Sequence, residues 1–167
     1  TFSVVNRSPF LIDALQKIVA EYKKNFSKIS VEEIYKWEAV QCFQANWDIN
    51  ADDFQEMLSR SLAKSFNLLN SRNYFPRNMI IIFAEKDPEA VRAMFHDLYD
   101  ESKDIVGRID AFIASADRLL SKYGEESWKM HYQNTNSVSI YLFFRFPGTY
   151  YIYKYQKFKD MATKIGY

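Results

Sequence analysis

Asp13 with Glu21-Tyr22-Lys23 has the residue types of a chemical site, because an aspartate and a Glu-x-Lys are what some magnesium-dependent nucleases gather around their metal. All of them fall on one helical apolar pattern rather than on the strands such sites use, which argues against the reading. His96 and Asp100 stand one helical turn apart, a spacing that reads as a surface histidine beside a carboxylate rather than a ligand pair. Cys42 is the lone cysteine, and nothing beside it in sequence would activate the thiol as a nucleophile with either histidine. One cysteine and two histidines cannot build a cysteine-rich zinc site, and four scattered glycines cannot form a phosphate-cradling loop ahead of Lys and Ser/Thr. The residues point to binding rather than catalysis, with no cofactor.

The chemistry that remains is aromatic and basic. Trp128-Lys-Met-His-Tyr132, Tyr141-Leu-Phe-Phe-Arg-Phe146 and Tyr150-Tyr-Ile-Tyr-Lys-Tyr155 interleave rings with cations. A tyrosine ring buries roughly 150–250 Å² while its hydroxyl still seeks a partner, so a dense run of tyrosines suits a surface that must be apolar and hydrogen-bonding at once. Alternation over residues 150–155 predicts a short strand, with Tyr151, Tyr153 and Tyr155 on one face and Tyr150, Ile152 and Lys154 on the other. One face must be core, along with Phe143, Phe144 and Phe146. The other would present phenols, or a phenol with a lysine, able to stack a base and touch its phosphate; such stacking is worth roughly 1–3 kcal/mol per base. An aromatic pocket could also hold an extruded base.

Charge limits how a nucleic acid could be held. The net charge is +1, too small for binding driven mainly by counterion release. The distribution is uneven: residues 31–56 hold seven acids against Lys36, while residues 145–167 hold five cations against Asp160. Either run also suits a solvated helix face.

These groups must be positioned by helices, since glycine and proline are scarce, four each, and mostly fall where helix punctuation would place them. Ser8-Pro9 predicts an N-cap and N1 proline, followed by Phe10, Leu11, Ala14, Leu15, Ile18, Val19, Tyr22 and Phe26 at helical spacing. Ser30-Val-Glu-Glu33 reads as a capping box opening a second helix to about Trp47. A third is expected from about Asn50, with Phe54, Met57, Leu58, Leu62, Phe66 and Leu69 as its stripe. The apolar run after Pro76 is read as a buried helix, and Asp87-Pro88 starts another with Val91, Met94, Phe95, Leu98 and Tyr99 facing inward. Residues 105–123 form an amphipathic helix with Gly124 at C′. Residues 125–136 form a polar connector, 138–146 a helix stopped by Pro147-Gly148, and 157–165 a last helix. The fold class is therefore mainly α, α+β in the sense of one short β element near the C-terminus, in a single domain spanning residues 1–167.

That length with nearly half the residues apolar allows a core without crosslinks, and the lone cysteine excludes an internal disulfide, so a reducing cytoplasm fits best. The apolar run at residues 79–84 is far short of the roughly 20 residues that span a bilayer, so no membrane is expected. A start without Met fits a segment cut from a longer protein.

Four strings stand together in order: Tyr35-Lys-Trp-Glu-Ala-Val with Asn46-Trp-Asp-Ile-Asn50; Asn67-Leu-Leu-Asn-Ser-Arg-Asn-Tyr-Phe-Pro76; Asp87-Pro-Glu-Ala-Val-Arg-Ala-Met-Phe95; and His131-Tyr-Gln through Tyr150-Tyr-Ile-Tyr-Lys154. Over residues 35–160 the chain resembles the N-terminal region of bacterial McrB-like proteins, the AAA+ motor subunits of modification-dependent restriction systems. The resemblance implies a target-recognition module for double-stranded DNA, frequently read at methylated cytosine, joined to a GTPase or ATPase module and working with a McrC-like nuclease. The motor itself has no counterpart here. Under this reading Tyr74, Trp128, Tyr132, Tyr150, Tyr153 and Tyr155 are expected to touch base or sugar, and Arg77, Arg145, Lys154 and Lys157 to touch phosphate. The alternative is an interaction or assembly domain of the same motor without DNA contact, using the acidic residues 31–56.

Overall fold

The computed structural model describes residues 9–165. In chain order the helices are α1 (Pro9–Lys24), α2 (Phe26–Asn46), α3 (Phe54–Ser61), α4 (Phe66–Leu69), α5 (Pro76–Lys86), α6 (Pro88–Leu98), α7 (Ile105–Tyr123), α8 (Thr135–Arg145) and α9 (Tyr155–Lys164). The chain divides into two compact units, Thr1–Ile34 with Lys154–Tyr167, and Tyr35–Tyr153. No helix of the described residues is long and apolar enough to cross a membrane.

The second unit is built around α8. Every side chain of residues 137–144 is buried, Ser137, Val138, Ile140, Tyr141 and Phe144 completely. A helix enclosed on all sides belongs at the centre of its bundle, and its two buried serines are satisfied by the Asn134 and Asn136 carbonyls. Around it, α5 contributes Met79, Ile80, Phe83 and Ala84, α6 contributes Val91, Met94, Phe95 and Leu98, and α7 contributes Phe112, Ala116 and Leu119. Side chains cap three of these helices, and α8 starts at Thr135, three residues before the expected Val138, while α5 opens on Pro76 without a side-chain cap. Asp87 accepts from the Ala90 amide and Asp104 from the Gly107 amide. Asn134 and Ser137 form a reciprocal capping box that opens α8.

Five local expectations are corrected. Residues 150–155 form no strand: the described residues contain only an isolated bridge, Ser71 with Tyr74. Without a neighbouring strand the alternating pattern has no ladder to join, so the Tyr153 amide donates to Ser139 Oγ (3.0 Å) instead. The last helix begins at Tyr155, where Lys154 O accepts from the Phe158 amide. Ser30 opens no helix, because α2 already runs from Phe26; its hydroxyl turns back to Ser27 O (3.1 Å). Extending an existing helix costs less than nucleating a new one. Ser8 lies outside the described residues.

The third helix splits into α3 and α4, since the Leu62 carbonyl at the α3 end is taken by Arg77 Nε (2.9 Å) and Ser65 Oγ (2.7 Å), both from outside that helix. Gly124 ends α7 at φ −64°, not in the left-handed region. Its glycine is required by space instead: a Cβ there would meet Leu120 O at 2.4 Å.

Candidate nucleic-acid interface

The expected contact residues do not form one face. Lys154, Tyr155 and Lys157 belong to the first unit, where all three are exposed. The others belong to the second unit and fall into separate places.

Tyr74 and Tyr132 meet edge to face, with ring centroids 6.3 Å apart, and Tyr132 packs edge-on against Phe75 at 5.5 Å. Their polar surroundings are largely committed. The Tyr74 hydroxyl donates to Asn134 Oδ1 (3.0 Å), the same oxygen that caps α8. Tyr132 has φ 61°, costly for a ring-bearing residue, and this kink lets its neighbours converge. The Gln133 amide donates to His131 Nδ1 (2.8 Å), which leaves the imidazole proton on Nε2 to be donated to Asp117 Oδ1 (3.0 Å). Gln133 Nε2 donates to Pro76 O (2.8 Å), and Gln133 Oε1 accepts from Tyr141 (3.2 Å). Burial pushes the Tyr141 phenol far above its usual range, then the neighbouring Tyr74 adds to it, so the hydroxyl remains a donor. This network fixes the 125–134 connector, on which Trp128 is half-buried. With both nitrogens of His131 engaged, nothing is left on the ring to act as a base.

Tyr150 is half-buried, its hydroxyl bonded to Arg108 and Glu101. Tyr153, just over a third exposed, is held by its backbone on Ser139. Arg77 is half-buried, and burial lowers its pKa while its Nε serves Leu62 O. Cys42 donates its thiol proton to Arg60 O (3.4 Å), outside any nucleophilic arrangement.

Arg145 is different. It is exposed at the end of α8, with its guanidinium 5.3 Å from the Phe146 ring centroid. It stands at a cleft of about 280 Å³ lined also by Trp47, Ile49, His96, Tyr99 and Asp100. Its aromatic wall is locked edge to face: Trp47, stacked on the buried Phe43 at 4.8 Å, meets Tyr99 edge-on at 5.5 Å, and Tyr99 meets Phe146 edge-on at 5.8 Å. The wall is held from below. Arg92 donates to the carbonyls of Ile49 and Ala51 (Nη2 to Ala51 O, 2.9 Å) while lying 4.7 Å over the Phe54 ring, which fixes the loop after α2. The Tyr99 hydroxyl donates to Tyr141 O (3.2 Å), and burial raises its pKa well above the usual phenol range, so it stays neutral. Asp100 is held below the ordinary carboxylate range, first by the Ser102 hydroxyl and amide and then by Lys103. The cleft thus offers aromatic rings set nearly at right angles to one another, a guanidinium, an ionised carboxylate and an exposed imidazole.

A roomier groove of about 370 Å³ lies between α6 and α7, where Lys122 pairs with Asp87 (3.2 Å), Asp97 with Lys103 beyond the lining (2.7 Å), and Arg118 donates to Ser115 Oγ (2.8 Å). It has no aromatic wall. Trp47, His96, Tyr99, Asp100 and Phe146 escaped the sequence-level choice of contacts. Trp47 was visible in the Asn46-Trp-Asp-Ile-Asn50 string, and His96 with Asp100 in its one-turn spacing, but their meeting with Phe146 depends on α2, α6 and α8 ending at the same place. No protein-family model, curated protein or solved structure matches this chain.

Proposed function

We propose that this chain is the DNA target-recognition module of a McrB-like restriction motor, and that it engages DNA at the cleft of Trp47, Tyr99, Phe146 and Arg145. The observation that carries the reading is a guanidinium beside an aromatic wall with room for a planar ring. A domain of net charge +1 cannot hold DNA through phosphate neutralisation alone, so stacking must supply much of the affinity. Modified cytosine remains the proposed target, with an AAA+ GTPase or ATPase module and a McrC-like nuclease as proposed partners. The chain itself acts as a binding module in the cytoplasm.

The test is fluorescence polarisation of the 167-residue chain against methylated and unmethylated duplexes at two salt concentrations. Micromolar, salt-dependent binding is expected, with Arg145→Ala lowering the salt slope by about one. Absence of salt-dependent binding to either duplex at micromolar protein overturns the proposal.

A further inference from the structure

In the first unit, α1 carries an apolar stripe that stays in contact with solvent. Ile12, Leu15, Val19, Tyr22 and Phe26 are 44%, 41%, 44%, 50% and 54% exposed. Single exposed apolar residues are ordinary, whereas a continuous line of them marks an interaction surface. Their spacing alternates three and four residues, the heptad repeat that keeps one seam of a helix against a partner helix. Phe26 continues the seam into α2, because only Asn25 separates the two helices and its amide still reaches Glu21 O and Tyr22 O, each at 3.2 Å. With Ile12 at heptad position a, the charged residues Asp13, Lys17, Glu21 and Lys24 fall at b, f, c and f, away from the seam, and Lys23 flanks it at e.

We infer that α1 is a self-association helix on which a second copy of this chain docks as a two-stranded parallel coiled coil. Ile12, Val19 and Phe26 occupy a positions, and Leu15 and Tyr22 occupy d. Ile12 and Val19 at a with Leu15 at d is the pattern that favours two parallel strands, and the rings of Tyr22 and Phe26 lengthen the seam. The symmetric pair sets each seam residue against its own counterpart. The exposed parts of the five side chains amount to roughly 500 Å² per copy, so a pair would bury about 1,000 Å², the lower bound for a specific association. A seam of two heptads is short, so the pairing is weak and concentration-dependent. This inference does not rest on the DNA reading.

Sedimentation equilibrium of the 167-residue chain from low micromolar to several hundred micromolar tests it. A monomer–dimer equilibrium is expected, weakened at least tenfold by Val19→Glu with far-ultraviolet circular dichroism unchanged. Orientation is read in a Cys42→Ser background: Ile12→Cys should crosslink to itself on mild oxidation, while Lys17→Cys on the outer face should not. Should Val19→Glu lose helicity, this cysteine contrast decides the matter in chains with an otherwise intact seam. A chain that stays monomeric overturns the inference, as does a dimer indifferent to a folded Val19→Glu, or one in which Ile12→Cys fails to link.

Discussion

The Tyr150 hydroxyl accepts from Arg108 Nη2 at 2.8 Å and donates to Glu101 Oε1 at 3.1 Å, so one phenol joins a buried cation to a surface carboxylate. Arg108 is 5% exposed; its Nη1 donates to Leu98 O (2.8 Å), and its Nε has no partner. The phenol is thus part of how this buried charge is tolerated.

Tyr150→Phe keeps the ring beneath the guanidinium but removes an acceptor from it. The expected cost is about 1–3 kcal/mol, seen in urea unfolding as a lower midpoint with an unchanged slope. DNA affinity should change little. A variant of wild-type stability that binds DNA more weakly would instead restore Tyr150 to the contact surface.

Asp87 gives the fold a measurable acid limb. Its carboxyl is held below the ordinary range, first by the Tyr123 hydroxyl (2.9 Å), then by the Ala90 amide and Lys122. A carboxyl whose folded pKa is depressed contributes fully above its unfolded pKa of about 4, and the contribution drains away as pH falls through the lower folded value. Asn caps a helix about as well as Asp, so Asp87→Asn isolates the charge. Wild type should be the more stable at neutral pH, and the two unfolding curves should converge once the pH has fallen through the depressed folded value.

How much of this was legible in the sequence depends on how far apart the partners lie. Pro76, Asp87-Pro88 and the 105–123 periodicity marked α5, α6 and α7 because helix signals act within a turn or two. The split at Leu62 was invisible, since the Arg77 that takes its carbonyl comes from another helix. The tyrosines misled for the same reason. A phenol with a cation a few residues away in sequence looks available, but Tyr74 and Tyr150 are bonded to Asn134 and Arg108, 60 and 42 residues away. Arg145 is exposed because α8 ends there, and Phe146, expected in the core, lies half-buried at the cleft for the same reason.

Gly124 separates conformational need from spatial need. Its φ of −64° is open to any residue, so a left-handed cap would predict a penalty that this geometry does not impose. The obstacle is the approach of a Cβ to Leu120 O, with Leu120 Cδ1 at 3.3 Å behind it. Gly124→Ala should lower stability by about 1–3 kcal/mol through displacement of the α7 end. Thermal melts would check this, and Gly148→Ala, where a Cβ meets nothing within 4 Å, is the control that should stay near wild type.

Arg92 connects stability to the proposed site. Its two terminal nitrogens reach the Ile49 and Ala51 carbonyls while its plane lies on Phe54, and this fork holds the loop that carries Ile49 into the cleft wall. Lysine keeps the charge but cannot spread across two carbonyls and stack at once. Arg92→Lys should therefore cost about 1–3 kcal/mol in stability. Because Arg92 does not line the cleft, its replacement should also weaken DNA binding without altering the salt slope, whereas Arg145→Ala alters the slope and spares stability. Loss of slope in both variants would mean that Arg92 meets phosphate directly, and an unchanged affinity in Arg92→Lys would separate the loop from binding.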